Sequence, residues 1–410
     1  MNNGSNLFAQ MLSNIDFSAF QNIVNAHEGD KGTKGFSCRD QLVTMLFAHI
    51  AGFDSLREAV DGLATQGGDL SHLGMSKAPS KSCLAYMNEH RSAEIYEEFF
   101  YHLTKTLLPK IKGSAKPGNF KGKLFSFDST TIDLCLSIFE WARFHHSKGA
   151  IKIHTMLDHD SLLPVFANVT TGNTHDVSAM KANLETILSI AEKQSWIVMD
   201  RGYVDYELFK LLTEREVFFV TRLKTNSAYE IVEEHEVPKN RGIISDDTIA
   251  FTGPKGNSCP NFRRVMYHDA ESGRDFVFVT NNFKFGATTI AQMYKSRWQV
   301  ELFFKALKQN LKIKSFMGTS ENAVKIQVYC ALIATMLLKY MKFISDSKRK
   351  AVSKKTFSFS NLVALFRLNM TDYISLGDWL LNPFPPPPNR RGPRPKQINF
   401  LDSMSFRGGD

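Results

Sequence analysis

Apolar residues recur at helical spacing through "FSCRDQLVTMLFAHIAGF" (36–53), with Ser37 placed to cap the run and Gly52 to stop it. The stretch "DSLREAVDGLA" repeats the pattern behind Asp54 or Ser55, and "SAEIYEEFFYHLTKTLLPKI" supplies a third amphipathic helix. Residues 1–112 therefore read as a helical segment. Near residue 118 the period changes from helix to strand, after a linker rich in Gly, Pro and Lys, "KGSAKPGNFKGK" (112–123). "LFSFDSTTIDL", "AIKIHTMLD" and "LPVFANVTTG" are three closely spaced strands, predicted to form an antiparallel meander.

A helix over 176–192, capped by Asp176, is expected next. The continuously apolar "SWIVMD" then reads as a strand buried on both faces. "DYELFKLLTER" and "VFFVTRL" add a helix and another buried strand. The resulting order, β-β-β-α-β-α-β over 118–223, predicts a mixed α/β sheet. Residues 224–285 carry only short strands between turns, which reads as a β-rich insertion. Residues 286–345 return to helices, one over 294–314 and one over 322–343. Residues 346–410 form a basic C-terminal region with a tail, "NPFPPPPNRRGPRPKQ", whose four successive prolines favour an extended chain.

The helix over 294–314 poses a specific question. Val300, Phe303, Phe304, Leu307 and Leu311 form its apolar stripe. Tyr294, Arg297, Glu301, Lys305, Lys308 and Lys312 form a second stripe beside it, within roughly 80°. Glu301 thus stands at the border of the core as a lone acid among cations. An ordinary ladder of i, i+4 ion pairs is one explanation, with each pair contributing a few tenths of a kcal/mol, about 0.3–0.5.

Composition adds bounds. The chain has 410 residues and a net charge of +9, which suits a polyanionic partner without requiring one. Its five cysteines are scattered, which argues against a zinc knuckle or a disulfide scaffold. The start, "MNNGSNLFAQ", has no signal-peptide pattern, and "VYCALIATMLLKYM" (328–341) is short for a membrane span and interrupted by Lys339. A cytoplasmic protein is expected. Lys148, Lys152 and His154 are expected to line a strand, and His175 to sit in a turn.

Three acids lie on three elements that only the tertiary fold can join: Asp128 on the first strand, Asp200 at the end of "WIVM", and Glu301. Asp200 ends a strand where α/β sheets open into a crevice. Each acid also has a local reading: a turn cap for Asp128, an Asx turn before Gly202 for Asp200, and an ion pair for Glu301. Brought together on one sheet and its packing helix, they would repel and resist desolvation unless a cation joined them. Oxygen ligands without a His or Cys cluster suit Mg2+ or Mn2+.

Tyr294, Arg297, Glu301 and Lys308 spell Y-x2-R-x3-E-x6-K, and the two aspartates lie in "FDSTT" and "VMDRGY". This set resembles the signature of DDE transposases of the insertion-sequence-four family. The resemblance implies an RNase-H-like catalytic core with a β-rich insertion and an N-terminal helical, DNA-binding domain. It implies Asp128, Asp200 and Glu301 as catalytic metal ligands, with Mg2+ as the cofactor and Mn2+ as a substitute. Tyr294, Arg297 and Lys308 are implied to contact DNA. The implied partners are double-stranded transposon ends and target DNA, together with a second copy of the chain in a synaptic dimer or larger assembly. No membrane is implied, and the setting is the nucleoid of a prokaryotic cell. A metal-dependent nuclease without strand transfer, or a catalytically silent DNA-binding regulator, remain alternatives.

Overall fold

The computed structural model describes residues 4–111, 120, 122–145, 148–238, 241–253, 256, 258–311, 313, 316–350 and 356–384. Most of the expected linker and the proline-rich tail beyond residue 384 lie outside these residues, as does Lys312.

Six helices open the described chain: α1 (Leu7–Leu12), α2 (Phe17–Ala26), α3 (Cys38–Ala51), α4 (Leu56–Ala64), α5 (Lys81–His90) and α6 (Glu94–Leu107). The α3 boundaries follow from local chemistry. The Ser37 hydroxyl accepts from the Asp40 N–H while the Asp40 carboxylate accepts from the Ser37 N–H, and Gly52 ends the helix at φ 79°. Such a cap contributes about 1 kcal/mol. Ser55 caps α4 in the same manner.

The strands follow: β1 (Leu124–Leu134), β2 (Arg143–His145), β3 (Lys148–Asp158) and β4 (Pro164–Thr171), then α7 (Asp176–Ala182), α8 (Leu184–Ile190), β5 (Trp196–Met199), α9 (Tyr206–Glu214) and β6 (Phe218–Arg222). The single helix expected over 176–192 is broken at Asn183, whose side-chain amide donates to the Ala179 carbonyl and competes with helix propagation. Asp176 is not its cap. His175 occupies the N-cap position without a side-chain bond, and Asp176 is the first helical residue.

β7 (Tyr229–Glu234), β8 (Ile243–Phe251), β9 (Phe262–Asp269) and β10 (Arg274–Thr280) form the region without helices. They continue the same sheet. Its strand order is β2-β3-β1-β5-β6-β10-β9-β8-β7, with β4 also paired to β3. Within it, β4-β3-β1 are antiparallel and β1-β5-β6 are parallel. That arrangement is the RNase-H-like order, and the fold is mixed α/β with helices on both faces.

The last elements are α10 (Ala287–Ser296), α11 (Trp298–Asn310), α12 (Glu321–Lys350), α13 (Phe359–Asn369) and α14 (Leu376–Leu381). The expected helix over 294–314 is therefore two helices meeting at Arg297, with Tyr294 on the first and Glu301 on the second. The second expected helix also runs further, to Lys350. By length and hydropathy α12 qualifies as a membrane span, yet 72% of its most apolar window is buried within the protein. It packs against α3 and α6.

The two sheet faces carry different cores. Phe125, Phe127 and Met156 join Met180, Tyr203 and Phe209 beneath α7–α9. On the other face Leu124, Trp196 and Val198 pack against Ile290 and Met293 of α10. Further along that face, Ile132 and Ile153 pack with Phe303 and Leu307 of α11 and with α12. The apolar stripe read from the sequence, Val300, Phe303, Phe304, Leu307 and Leu311, is buried throughout.

Candidate active site

Strand alternation places Asp128 on the face of β1 that also carries Leu124 and Ile132. Leu124 belongs to the α10 core and Ile132 to the α11 core. Asp128 is thus midway between them, under the junction of the two helices, and the junction residue is Arg297. Arg297 Nη1 donates to Asp128 Oδ2 at 2.8 Å, and Nη2 donates to Glu301 Oε1. The side chains of Asp128, Arg297 and Glu301 are 16%, 15% and 35% exposed, so this triad is largely withdrawn from water.

Asp128 and Glu301 also line one cleft of about 470 Å³, together with Lys305, Lys308 and Gln309. Lys308 Nζ donates to the Thr131 carbonyl at 2.8 Å, which ties α11 to β1. Tyr294 faces the other way from this cleft. Its ring lies 4.7 Å from that of Phe278, the Arg297 guanidinium is 5.8 Å from its centroid, and burial pushes its hydroxyl up. It lines a second cavity with Arg222, Phe276 and Trp298.

Asp200 reaches the site by sheet register. Phe127 pairs with Met199 in the parallel β1–β5 ladder, and Asp128 and Asp200 are the residues that follow each of them. β5 ends there. The Asp200 carboxylate accepts from the Gly202 N–H at 2.7 Å, and its carbonyl accepts from the Thr221 hydroxyl. A Cβ at position 202 would fall 2.8 Å from Asp200 Oδ1, which explains the glycine of "DRGY".

The electrostatics follow from this crowding. Asp128 is pushed up from 3.8 to about 7: burial is the main cause, Arg297 opposes it, and the charges of Asp200 and Glu301 reinforce it. Asp200 also acts on the Tyr294 hydroxyl. The three acids therefore share one electrostatic neighbourhood. Among the described residues, no three His, Cys, Asp or Glu groups stand close enough to grip one ion in this arrangement. Arg297 separates Asp128 from Glu301, and Asp200 is folded onto its own turn.

Two of the local readings are realised, since Asp200 makes an Asx turn and Glu301 pairs with Arg297. The turn reading of Asp128 is not, because "DSTT" is strand. Lys148, Lys152 and His154 do line a strand, β3.

A profile of the transposase DDE domain matches residues 119–337, just over half the chain and the whole of this site. The chain belongs to the transposase DDE family. Three relatives agree with that placement. The putative transposase y4zB of Sinorhizobium fredii is 28% identical over 329 residues, 79% of this chain and 86% of the relative. The probable transposase for insertion sequence element IS5377 of Geobacillus stearothermophilus is 32% identical over 274 residues, 64% of this chain and 69% of the relative. The putative transposase for insertion sequence element IS4SA of Synechocystis is 27% identical over 263 residues, 63% and 71% of the two chains. Residues 3–76 match a domain of unknown function, DUF4372. A cryo-EM structure of a piggyBac transposase synaptic complex with hairpin DNA superposes at a TM-score of 0.43 and 12% identity, covering 93% of this chain and 84% of that one.

This DDE transposase is a divalent-metal-dependent polynucleotidyl transferase that acts on DNA. Sequence reading missed one neighbour of the site, Asp176. Its carboxylate accepts from the Ser129 hydroxyl at 2.7 Å and from Lys152 Nζ at 3.2 Å. The signal was present as polar residues alternating with isoleucines in "IKIH", which required polar company on that face of β3.

Proposed function

We propose that this transposase cuts and joins the ends of its own insertion sequence with Asp128, Asp200 and Glu301 as the metal-holding catalytic acids. The observation carrying this reading is that Arg297 links Asp128 to Glu301 while Asp200 follows on the next strand. The donor set fits a hard divalent ion: it is all oxygen, and burial together with mutual repulsion leaves Asp128 in want of positive charge. Mg2+ is the ion we assign, with Mn2+ as a substitute. When bound, a pair of such ions supplies an activated water or 3′-hydroxyl and stabilises the leaving 3′-oxygen.

The residues of the chain do the positioning. Asp128 and Glu301 line the same cleft. Lys305 and Lys308 line the same cleft and meet the phosphates that enter it. Arg297 neutralises the acids before DNA arrives and is free to turn its planar fork to a phosphate once their charge is met otherwise. Tyr294, packed on Phe278, holds Arg297 from behind and borders the DNA end.

The same reading assigns residues 1–112 to end recognition, 118–223 and 286–345 to the catalytic core, 224–285 to an insertion between its halves, and 346–410 to a basic C-terminal region. Two ends must be held together, so the working form is a homodimer or larger. It acts on double-stranded ends and target DNA at the nucleoid, in the cytoplasm of a prokaryotic cell, without a membrane. Membership of the insertion-sequence-four group follows from the Tyr294, Arg297, Glu301 and Lys308 pattern.

Alanine at Asp128, Asp200 or Glu301 abolishes Mg2+-dependent cleavage of an end fragment while leaving binding to that fragment intact. Cleavage retained by any one of the three overturns the assignment. Pre-cut ends mixed with a plasmid yield joined products; cutting without joining reduces the reading to a nuclease.

A further inference from the structure

The reverse face of β1, opposite Asp128, carries a polar cluster inside an otherwise apolar layer. Phe125 and Phe127 on that face pack with Met156, Val165 and Phe166. The next residues on it, Ser129 and Thr131, stand beside His154 and Lys152 of β3 by strand register. Asp176, at the start of α7, closes over them.

Its Oδ1 takes the Ser129 hydroxyl at 2.7 Å and Lys152 Nζ at 3.2 Å, with His154 Nδ1 3.7 Å away. Lys152 Nζ also donates to the Thr174 carbonyl, which fixes the loop entering α7. His154 is buried, its Nε2 lies 2.9 Å from the Thr170 hydroxyl, and its Nδ1 has no hydrogen-bond partner. Tyr203 packs edge-on against Phe127 in the same layer.

Apolar side chains at these positions would extend the core at less cost than a half-buried ion pair and a buried imidazole. The polar choice therefore asks for a positional explanation, and Ser129 supplies it. Its backbone N–H donates to Asp128 Oδ1 at 2.8 Å, on the far side of the strand from its hydroxyl. One residue thus joins Asp176 behind the sheet to Asp128 in front of it. β5 ends beside this point, so from Asp128 onward β3 is the only strand among the described residues that pairs with β1.

We infer that Asp176 is a positioning residue for Asp128: it holds Ser129 from the reverse face, and Ser129 in turn fixes the carboxylate that receives the metal. This inference rests on the reading of Asp128 as a metal-holding acid. Removal of such a support typically changes metal affinity tenfold to a hundredfold, about one to two decades, while leaving the ligands in place.

The test is a Mn2+ titration of end cleavage by the full-length protein, with end binding measured by fluorescence anisotropy. Asp176→Ala and Ser129→Ala are each expected to raise the half-maximal Mn2+ concentration about tenfold with end binding unchanged. The double variant is expected to be no worse than either single one, because both break the same link. Asp176→Asn is expected to recover most of the loss, since its amide oxygen still accepts from the Ser129 hydroxyl. An unshifted Mn2+ requirement in Ser129→Ala, or additive losses in the double variant, overturns the inference. Ser129→Ala removes only a hydroxyl and carries the test if Asp176→Ala does not fold. Asp128→Ala, run in parallel, separates the two levels. If it still cuts, the reading of the acids fails; if it is inactive while the others are unshifted, only the role of Asp176 fails.

Discussion

Arg297 Nη1 lies 2.8 Å from Asp128 Oδ2 although 169 positions separate the two residues in the chain. The second arm of the same guanidinium meets Glu301, so one cation holds a strand and a helix together through their acids. Arg297→Ala leaves those acids facing each other without a counter-charge. The expected cost is about 1–3 kcal/mol in metal-free protein, discounted because Glu301 is partly solvated. Mg2+ at millimolar concentration should recover most of it. Differential scanning calorimetry with and without Mg2+ measures both values; equal losses in the two conditions contradict the shared neighbourhood.

Asp128 gives the metal-free protein a pH signature. Its carboxyl is raised from 3.8 to about 7, mainly by burial. Between those values the folded state holds a proton that the unfolded state has released. Stability from this group is therefore full below about pH 4, declines as pH rises to about 7, and is level above. Thermal melts of metal-free protein across this range should show the decline, and Asp128→Asn should flatten it. Parallel slopes for the two proteins contradict the shift.

How much of this was legible in the sequence depends on what each element answers to. β1, β5 and β6 were readable because their alternation or unbroken apolar run fixes them locally, and α3 because Ser37 and Gly52 mark its ends. The break between α10 and α11 was not. Tyr294, Arg297, Glu301 and Lys308 sit on one stripe of an ideal helix, and nothing local stops that helix at residue 297. Arg297 itself keeps helical dihedrals, φ −51° and ψ −29°, and its side chain meets Asp128, 169 positions away in the chain. The role of Asp176 was hidden for a similar reason. Its position before an apolar run reads as a cap, and its actual partners, Ser129 and Lys152, are 47 and 24 residues away.

Lys308 tests the DNA-facing wall of the cleft. It lines the same cleft as Asp128 and Glu301 and donates to the Thr131 carbonyl. Lys308→Ala should weaken binding of a cleaved end uniformly across sequences and lower the slope of log affinity against log salt by about one. Anisotropy titrations between about 50 and 200 mM salt read the slope directly. An unchanged slope places Lys308 outside the DNA path.

Lys339 is half-buried in α12. Its ammonium donates to the Leu162 carbonyl and lies 5.4 Å from the Phe303 ring and 5.8 Å from the Phe359 ring. Burial pushes it down from 10.5 to about 7. Above about pH 7 the folded state sheds a proton that the unfolded chain keeps until about 10.5, so stability should rise over that interval. Lys339→Met should abolish the rise and raise the melting temperature at pH 7. A melting temperature that falls in the variant contradicts this account of the residue.

The shared neighbourhood of Asp128, Asp200 and Glu301 is tested most directly by a crystal structure of the transposase with a cleaved DNA end and Mn2+, located by anomalous scattering. The account predicts Mn2+ at about 2.0–2.3 Å from oxygens of all three acids, with the Arg297 guanidinium moved from between Asp128 and Glu301 onto a DNA phosphate. Mn2+ bound at a DNA end without Asp200, or away from these side chains altogether, contradicts it.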